Sequence, residues 1–368
     1  LDRKVARNPQ RFHTAIVSNN TKKENKRMKN NFTIREGIDD ISNDFEKLLE
    51  NSNTSSIFQT IPFYHFFSNQ PNTEPFAFAI TENEEIIVSI FGVILYESGI
   101  KKNLTKRAII YGGPVINSKH KSVKNALTLI LYHLSKSLRK KAIYIETRNL
   151  NDYSLYHNIF LKCGFSYEQY VNYHIDITDL EQTLMNFKSE KRRQIRKSLK
   201  NGVQIRTALN KEEVESLYKI LSDLYSTKVK KPLPNMKYFT DLFELFEKYN
   251  NGFVSVLVFN EIIIGGSFCP IFNNIIYDWY RCGLDNQYKK LYPSTLSVYA
   301  GMFIGNQKGC KLFDFMGAGN INTPYGVREF KSQFGGALIE QGRYLKIIDK
   351  TKYSIGKLGL LILQKIKK

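Results

Sequence analysis

The sequence is poor in the features that mark several common function classes. Its four cysteines, Cys163, Cys269, Cys282 and Cys310, form no Cys-x-x-Cys pair and match no zinc-ligand spacing. They read as buried free thiols in a reducing compartment, so a cytoplasmic location is the expectation. No run of ~20 apolar residues is present that could span a bilayer, and the basic N-terminus lacks the apolar segment of a secretory signal. All six histidines, His13, His65, His120, His133, His157 and His174, fall in the first half, which leaves the second half without a histidine base. A Ser-His-Asp order, a nucleophile elbow and a His-Glu metal motif are all missing. Metal chemistry and triad hydrolysis are therefore not expected, and the lone histidines read as structural.

What is present points to a large globular chain. A length of 368 residues exceeds what one ordinary core holds, and 42% hydrophobic with 13% aromatic residues suits two sizeable cores. The net charge of +20 is unevenly placed. Residues 1–31 carry a surplus of +7, residues 188–200 of +6 and residues 349–368 of +5, so the other 304 residues sum to +2. Localised blocks suggest particular anionic contacts rather than general nucleic-acid binding, with solvated lysine faces as the plain alternative. Residues 1–31 are polar and aperiodic and are expected to be a disordered basic extension. Of these, residues 1–27 read as dispensable for folding or as an artefact of start-site choice, with a targeting peptide as the weaker alternative.

Periodicity and turn chemistry give the element order. Phe32–Ile38 reads as an edge strand and Ser42–Glu50 as a helix. Phe76–Ile80 and Ile86–Tyr96 read as strands turning at Glu82–Glu85. A strand over Lys106–Tyr111 ends at Gly112-Gly113-Pro114. A helix over Val123–Leu138, a strand over Ala142–Glu146, a helix over Tyr153–Cys163 and a pair of closing strands within Phe165–Ile177 follow. The second half repeats the order. A basic helix, Phe187–Lys200, leads to a strand over Val203–Thr207 and helices over Glu212–Thr227 and Met236–Tyr249. Phe253–Phe259, Ile262–Phe272 and Ile275–Arg281 form a meander with turns at Asn260-Glu261 and Asn273-Asn274. A helix over Ser294–Lys308, a strand over Lys311–Phe315 and a short helix near Val327–Phe334 close the pattern. The boundary is expected near Asp179–Asn186, giving domains over 32–180 and 181–348 and a basic amphipathic tail over 349–368.

The most specific stretch is Phe313-Asp314-Phe315-Met316-Gly317, followed by Gly326-Val327-Arg328-Glu329-Phe330-Lys331-Ser332-Gln333-Phe334-Gly335-Gly336. It resembles the C-terminal signature of the Fem family of peptidoglycan aminoacyl transferases: a strand ending Asp-Phe-x-Gly, then Gly-x-x-x-Phe-Lys-x-x-Phe-Gly-Gly. The block Lys191-Arg192-Arg193-Gln194-Ile195-Arg196-Lys197 with Gly202 resembles that family's basic helix, and Gly112-Gly113-Pro114 a turn in its first domain. The resemblance covers roughly residues 32–347. It implies an α/β chain with mixed sheets, built as two tandem acetyltransferase-type (GNAT) domains, and transfer of an aminoacyl group from aminoacyl-tRNA to an amine of a peptidoglycan precursor. The long helical arm of staphylococcal-type members is absent, since only Val229–Asn235 separates the two helices. Armless members also exist.

The resemblance implies a role for Lys331 at the aminoacyl end. An amine attacking an ester or thioester creates an oxyanion, and one well-placed donor lowers that barrier by ~3–4 kcal/mol. Phe330 is placed to stack on the adenosine end of a tRNA, with Arg328 and Tyr325 beside it as substrate-binding candidates. Lys188, Arg192 and Arg196 fall at fourfold spacing on one helix face with Lys191 beside them, suited to phosphates of tRNA or of a nucleotide- or lipid-linked envelope precursor. Asp314, Gly317, Gly326, Gly335, Gly336, Gly112, Gly113 and Pro114 read as structural parts of the motifs. No bound cofactor is expected; the donor is aminoacyl-tRNA or acyl-CoA. The Arg/Gln-x-x-Gly-x-Gly/Ala loop with which acetyl-CoA enzymes of this fold hold pyrophosphate is absent from both halves, and Lys289-Lys290-Leu291-Tyr292-Pro293 stands in its place in the second.

Two rival functions stay open: an acyl-CoA-dependent N-acyltransferase acting on amino sugars of capsule or lipopolysaccharide, and a non-catalytic RNA- or membrane-binding protein of the same fold. The tail Lys352–Lys368 bears Ile355, Leu358, Ile362 and Ile366 at spacings of three or four. It is suited either to an anionic inner-membrane surface or to docking on the second domain.

Overall fold

Three hairpin turns are set by residue pairs that tolerate a left-handed backbone. Asn83-Glu84, Asn260-Glu261 and Asn273-Asn274 all have positive φ, between 48° and 68°. This is the geometry whose twist matches that of the flanking strands. The computed structural model of the protein describes residues 32–99 and 102–366; the expected extension over residues 1–31 lies outside them.

In chain order the first-half strands are β1 (Thr33–Glu36), β2 (Thr73–Glu82), β3 (Glu85–Leu95), β4 (Arg107–Gly112), β5 (Val115–Ile116), β6 (Tyr144–Asn149), β7 (Ser166–Glu168) and β8 (Val171–Asp176). The second half supplies β9 (Gln204–Thr207), β10 (Gly252–Phe259), β11 (Ile262–Phe272), β12 (Ile275–Tyr277), β13 (Tyr280–Gly283), β14 (Leu312–Asp314), β15 (Ala337–Glu340) and β16 (Arg343–Ile347). They form two eight-stranded mixed sheets. One runs β1-β2-β3-β4-β6-β16-β7 with β5 also on β3; the other runs β15-β8-β14-β12-β11-β10-β9 with β13 also on β11. Each has one parallel pair, β4 with β6 and β12 with β14, at the equivalent place. The expected fold class is the one observed.

The halves are not separate along the chain. β16, from the second half, lies between β6 and β7 of the first sheet, with Tyr344 opposite both Thr147 and Tyr167. β8, from the first half, lies between β15 and β14 of the second, with Ile175 opposite Phe313. The pair of closing strands expected within Phe165–Ile177 is therefore divided between sheets, and the boundary near Asp179 divides the sequence but not the hydrogen bonding. The turn between β15 and β16 lets this happen: Gly342 has φ 64°, and a Cβ there would lie 2.1 Å from the Tyr167 ring. Tyr344, 1% exposed, stacks on Phe160 with ring centroids 3.9 Å apart.

Several elements depart from the expected bounds. Gly37 (φ 87°) ends β1 early and the next helix starts at Ile38. Helix Ile61–Ser68 was not anticipated, because its Phe63, Phe66 and Phe67 are apolar on most sides rather than on one stripe. It joins the halves: Phe66 meets Tyr238 at 4.8 Å, and Phe58, just ahead of it, meets Trp279 at 4.8 Å. Helix Lys350–Ile366 packs on the first half, with Tyr353 edge-on to Tyr144 at 5.5 Å, rather than on the second domain as the docking alternative supposed. Its Ile355 and Leu358 are exposed.

Exchanged strands predict joint unfolding. Tyr344→Ala, which empties the stack under the inserted strand, should cost about 3–5 kcal/mol. Trp279 fluorescence and far-UV circular dichroism should shift to the same lower urea midpoint. Two separate transitions would contradict the exchange.

Candidate functional site

In each sheet the fourth strand is broken at the place where the parallel neighbour begins to diverge. In the first, Gly113-Pro114 separates β4 from β5. Gly112 and Gly113 hold φ of 85° and 79°, and a Cβ on Gly113 would lie 2.6 Å from the Tyr153 hydroxyl oxygen. That hydroxyl, fully buried, shares its proton between the carbonyls of Gly112 (2.8 Å) and Pro114 (2.7 Å). The first break is thus plugged by one side chain.

The second break, Asp278-Trp279 between β12 and β13, is built from charge. Trp279 packs on Phe58 in the aromatic layer between the halves. Asp278 is 6% exposed; Oδ2 is ion-paired with Arg281, while Oδ1 has no hydrogen-bond partner among the described residues. Lys331, on helix Gly326–Ser332, is 7% exposed. Its Nζ donates to the carbonyls of Phe315 and Gly317, both at 2.7 Å, and lies 5.2 Å from the Phe315 ring centre. Burial, with Arg281 adding to it, pushes the Lys331 ammonium down to about 8 against the pull of Asp278 and Asp314. Arg281 also faces the Phe330 ring at 5.3 Å, and Lys191 faces it at 4.8 Å. Lys191, on helix Ser189–Lys200, donates to Gln194 Oε1 and Thr295 Oγ1, both at 3.2 Å, and burial lowers its pKa. Three cations therefore surround Phe315 and Phe330, an arrangement suited to a negative charge that forms transiently.

The backbone beside Lys331 is held by Asp314. Its Oδ1 accepts from Asn172 Nδ2 (2.6 Å) and the Met316 N–H (2.5 Å), and its Oδ2 lies 3.0 Å from His174 Nε2. Asn172 Oδ1 in turn accepts the Gly317 N–H at 2.7 Å. Asn172 and His174 belong to β8. The expectation that the second half has no histidine holds for the sequence, but strand exchange brings His174 against the Asp314 carboxylate.

Other expected residues are accounted for differently. Arg328 donates to the carbonyls of Asn320 (2.8 Å) and Thr323 (2.6 Å), and more weakly to Ala318 and Ile321, so it folds the loop rather than facing a ligand. Tyr325 packs under Gly319 at the start of the short helix, which Gly326 opens. Gly335 and Gly336 pass so close to Asn186 O and His174 O that a Cβ would lie 2.8 and 2.4 Å away. The basic helix does not present one phosphate face. Arg192 caps Met185 O and Phe187 O at 2.7 and 2.6 Å, Lys191 is buried, and Arg196 is exposed. Lys331 is neither solvated nor free of structural bonds. Asp278 and Arg281, the charged pair inside the apolar run Ile275–Cys282, were the legible signal that sequence reasoning passed over.

Helix Pro293–Gln307 starts where this fold would seat a pyrophosphate. Its first free N–H, on Ser294, donates to Asp285 Oδ1 at 3.0 Å, and the Ser294 hydroxyl donates to Oδ2. An anion of the chain itself already occupies the helix end. On the other side of the Met316-Gly317 turn a cleft of about 310 Å³ opens between the halves. Tyr111, Tyr170, Trp279, Arg148, Arg343 and Lys231 are among its walls. Arg148 and Arg343 share the Glu146 carboxylate, at 3.1 and 2.7 Å. Burial alone would raise the pKa of Glu146, but the two guanidiniums hold it below the usual carboxylate range. Two guanidiniums against one carboxylate leave the cleft wall positive.

A family described as "Acetyltransferase (GNAT) domain" matches residues 185–332, which include Lys191, Asp278, Arg281, Asp314 and Lys331. No curated protein matches the sequence. Among solved structures, the chain is similar to FemX, with 13% identity over 84% of this chain and 96% of that one and a TM-score of 0.65. It is also similar to a tandem GNAT protein from the clavulanic acid biosynthesis pathway, with 9% identity over 86% and 98% and a TM-score of 0.55. L-PGS from Bacillus licheniformis matches with 13% identity over 85% and 95% and a TM-score of 0.52. These likenesses establish the fold: a duplicated GNAT architecture of the FemX kind.

Lys331 gives a stability signature with a definite sign. Its folded pKa is depressed below the unfolded value near 10.4, so between pH 8 and 10 the unfolded chain binds more protons and stability rises with pH. Relative to Lys331→Met, the wild type should gain up to about 3 kcal/mol across that range in urea titrations. Parallel curves for the two proteins would contradict the buried, ionisable placement.

Proposed function

We propose that this duplicated GNAT chain is an acyltransferase that moves an aminoacyl group from an ester donor, aminoacyl-tRNA, to an amine of an anionic cell-envelope precursor. The observation that carries this reading is the contrast between the two strand breaks. One is plugged by Tyr153, and the other is lined by Lys331, Arg281 and Lys191 around two rings. Asp285 at the helix Pro293–Gln307 N-terminus favours a donor that brings no pyrophosphate to that place. The likeness to FemX and to L-PGS agrees with the reading at the level of fold.

In the reaction so assigned, the acceptor nitrogen adds to the ester carbonyl carbon and the C=O electrons move onto oxygen. The resulting oxyanion reforms the carbonyl as the bond to the ribose oxygen breaks, and the proton lost by the attacking amine ends on that ribose oxygen. Two of the three Nζ protons of Lys331 are committed to Phe315 and Gly317 carbonyls. The third is left for the oxyanion, and the two carbonyls fix its direction. Phe330 offers a face for the terminal base. The acceptor reaches the same turn from the cleft, where Arg148, Arg343 and Lys231 favour an anionic group. Arg196 remains an exposed cation on the basic helix for a donor phosphate.

A second reading, acyl transfer from acyl-CoA to an amino sugar, is favoured by one observation, the acetyltransferase family match over residues 185–332.

The test is transfer of label from total aminoacyl-tRNA or from acetyl-CoA to a panel of nucleotide-linked muramyl peptides and amino sugars. Label should move from aminoacyl-tRNA, and Lys331→Met should lower kcat by about 10²–10³ with a small change in KM. Transfer from acetyl-CoA alone would favour the second reading.

A further inference from the structure

A carboxylate that is buried with one oxygen unpaired is costly. Removing a partner from a buried charged group typically costs more than the ~1–3 kcal/mol of a neutral one, so native structures rarely leave one bare. Among the described residues six buried side-chain polar atoms lack a hydrogen-bond partner: Ser56 Oγ, Gln70 Oε1, Ser89 Oγ, Asn149 Oδ1, Asn251 Oδ1 and Asp278 Oδ1. Only the last belongs to an ionisable group. It stands at the break between β12 and β13, next to the cleft-lining Trp279, on a residue whose other oxygen is already neutralised by Arg281.

The position of Asp278 relative to Lys331 narrows what Oδ1 is for. The Asp278 N–H donates to the carbonyl of Asp314 at 2.9 Å, while Lys331 Nζ donates to the carbonyl of the next residue, Phe315, at 2.7 Å. The backbone of Asp278 and the ammonium of Lys331 are thus anchored to adjacent residues at the end of β14. An α-aminoacyl ester carries an ammonium and a carbonyl oxygen separated by two carbon atoms, one of opposite electrostatic demand to the other. An acetyl group carries the carbonyl alone. We propose that Asp278 is a specificity-determining residue that accepts a hydrogen bond from the α-ammonium of the aminoacyl donor while Lys331 faces its carbonyl oxygen. The inference rests on the aminoacyl reading above and names the chemical feature by which the site selects its donor. The charges around the site suit it: Asp278 is paired with Arg281, and Asp278 and Asp314 together pull on the Lys331 ammonium.

The probes are non-hydrolysable 3′-aminoacylamino-3′-deoxyadenosines bearing glycine, alanine, serine or lysine, each with a free or an N-acetylated α-amine, titrated calorimetrically into the full chain. At pH 6.5 at least one free-amine probe should bind roughly tenfold or more tightly than its acetylated form, the worth of one hydrogen bond to a buried charge. Asp278→Asn should shrink that ratio below about threefold while leaving the acetylated probe's affinity in place. A wild-type arm guards against misfolding of the variant. Raising the pH to 9 should erode the preference as the probe's amine, with a pKa of about 8, loses its proton, while the acetylated probe reports any change in the protein itself. Equal binding of free and acetylated probes by the wild type, or a preference indifferent to pH and to Asp278→Asn, overturns this inference and leaves the aminoacyl reading standing. Failure of every probe to bind, together with transfer from acetyl-CoA, overturns both.

Discussion

Each sheet of this protein is completed by a strand from the other half of the chain, and the site depends on that exchange. β8 enters the second sheet beside β14 and brings Asn172 and His174 to the Asp314 carboxylate. That contact holds the Met316-Gly317 turn, and the carbonyls of Phe315 and Gly317 hold Lys331. β16 enters the first sheet in return and brings Arg343 to Glu146, which sets the charge of the cleft wall. Two sheets linked this way and sealed by the Phe58, Phe66, Tyr238 and Trp279 aromatic layer leave little freedom for one half to rotate on the other.

Duplication followed by divergence is visible in the two strand breaks. The geometry is shared: a fourth strand interrupted by two residues beside a parallel neighbour. The contents differ. Tyr153 occupies the first with a ring and satisfies both freed carbonyls, which stabilises the break and closes it. In the second, Asp278 keeps a buried oxygen without a partner, and among the described residues Lys191 and Lys331 are in no ion pair. A fold tolerates such a deficit where a ligand supplies what is missing.

Much of the fold was legible because local chemistry and global architecture agree. The asparagine-containing turns, the alternation in β2, β3, β10 and β11, and the Phe-Lys motif each lead to the element observed. Strand exchange was not legible. β7, β8, β15 and β16 are short and half-buried, and alternation fixes which face a strand buries, not which sheet receives it. Spacing likewise placed Lys188, Arg192 and Arg196 on one face but could not show that Arg192 is spent on capping Met185 and Phe187. Lys331 was legible as a candidate, and its burial was not, because that depends on carbonyls contributed by the distant Asp314–Gly317 segment.

The central claim is that chemistry occurs at the break of the second sheet and nowhere in the first. Photo-crosslinking tests it directly, using an adenosine-ended donor analogue that carries a diazirine on its aminoacyl group, with labelled peptides identified by mass spectrometry. The account predicts label on residues 278–283 and 315–334. Label confined to residues 112–123 and Tyr153, around the plugged break, would contradict it.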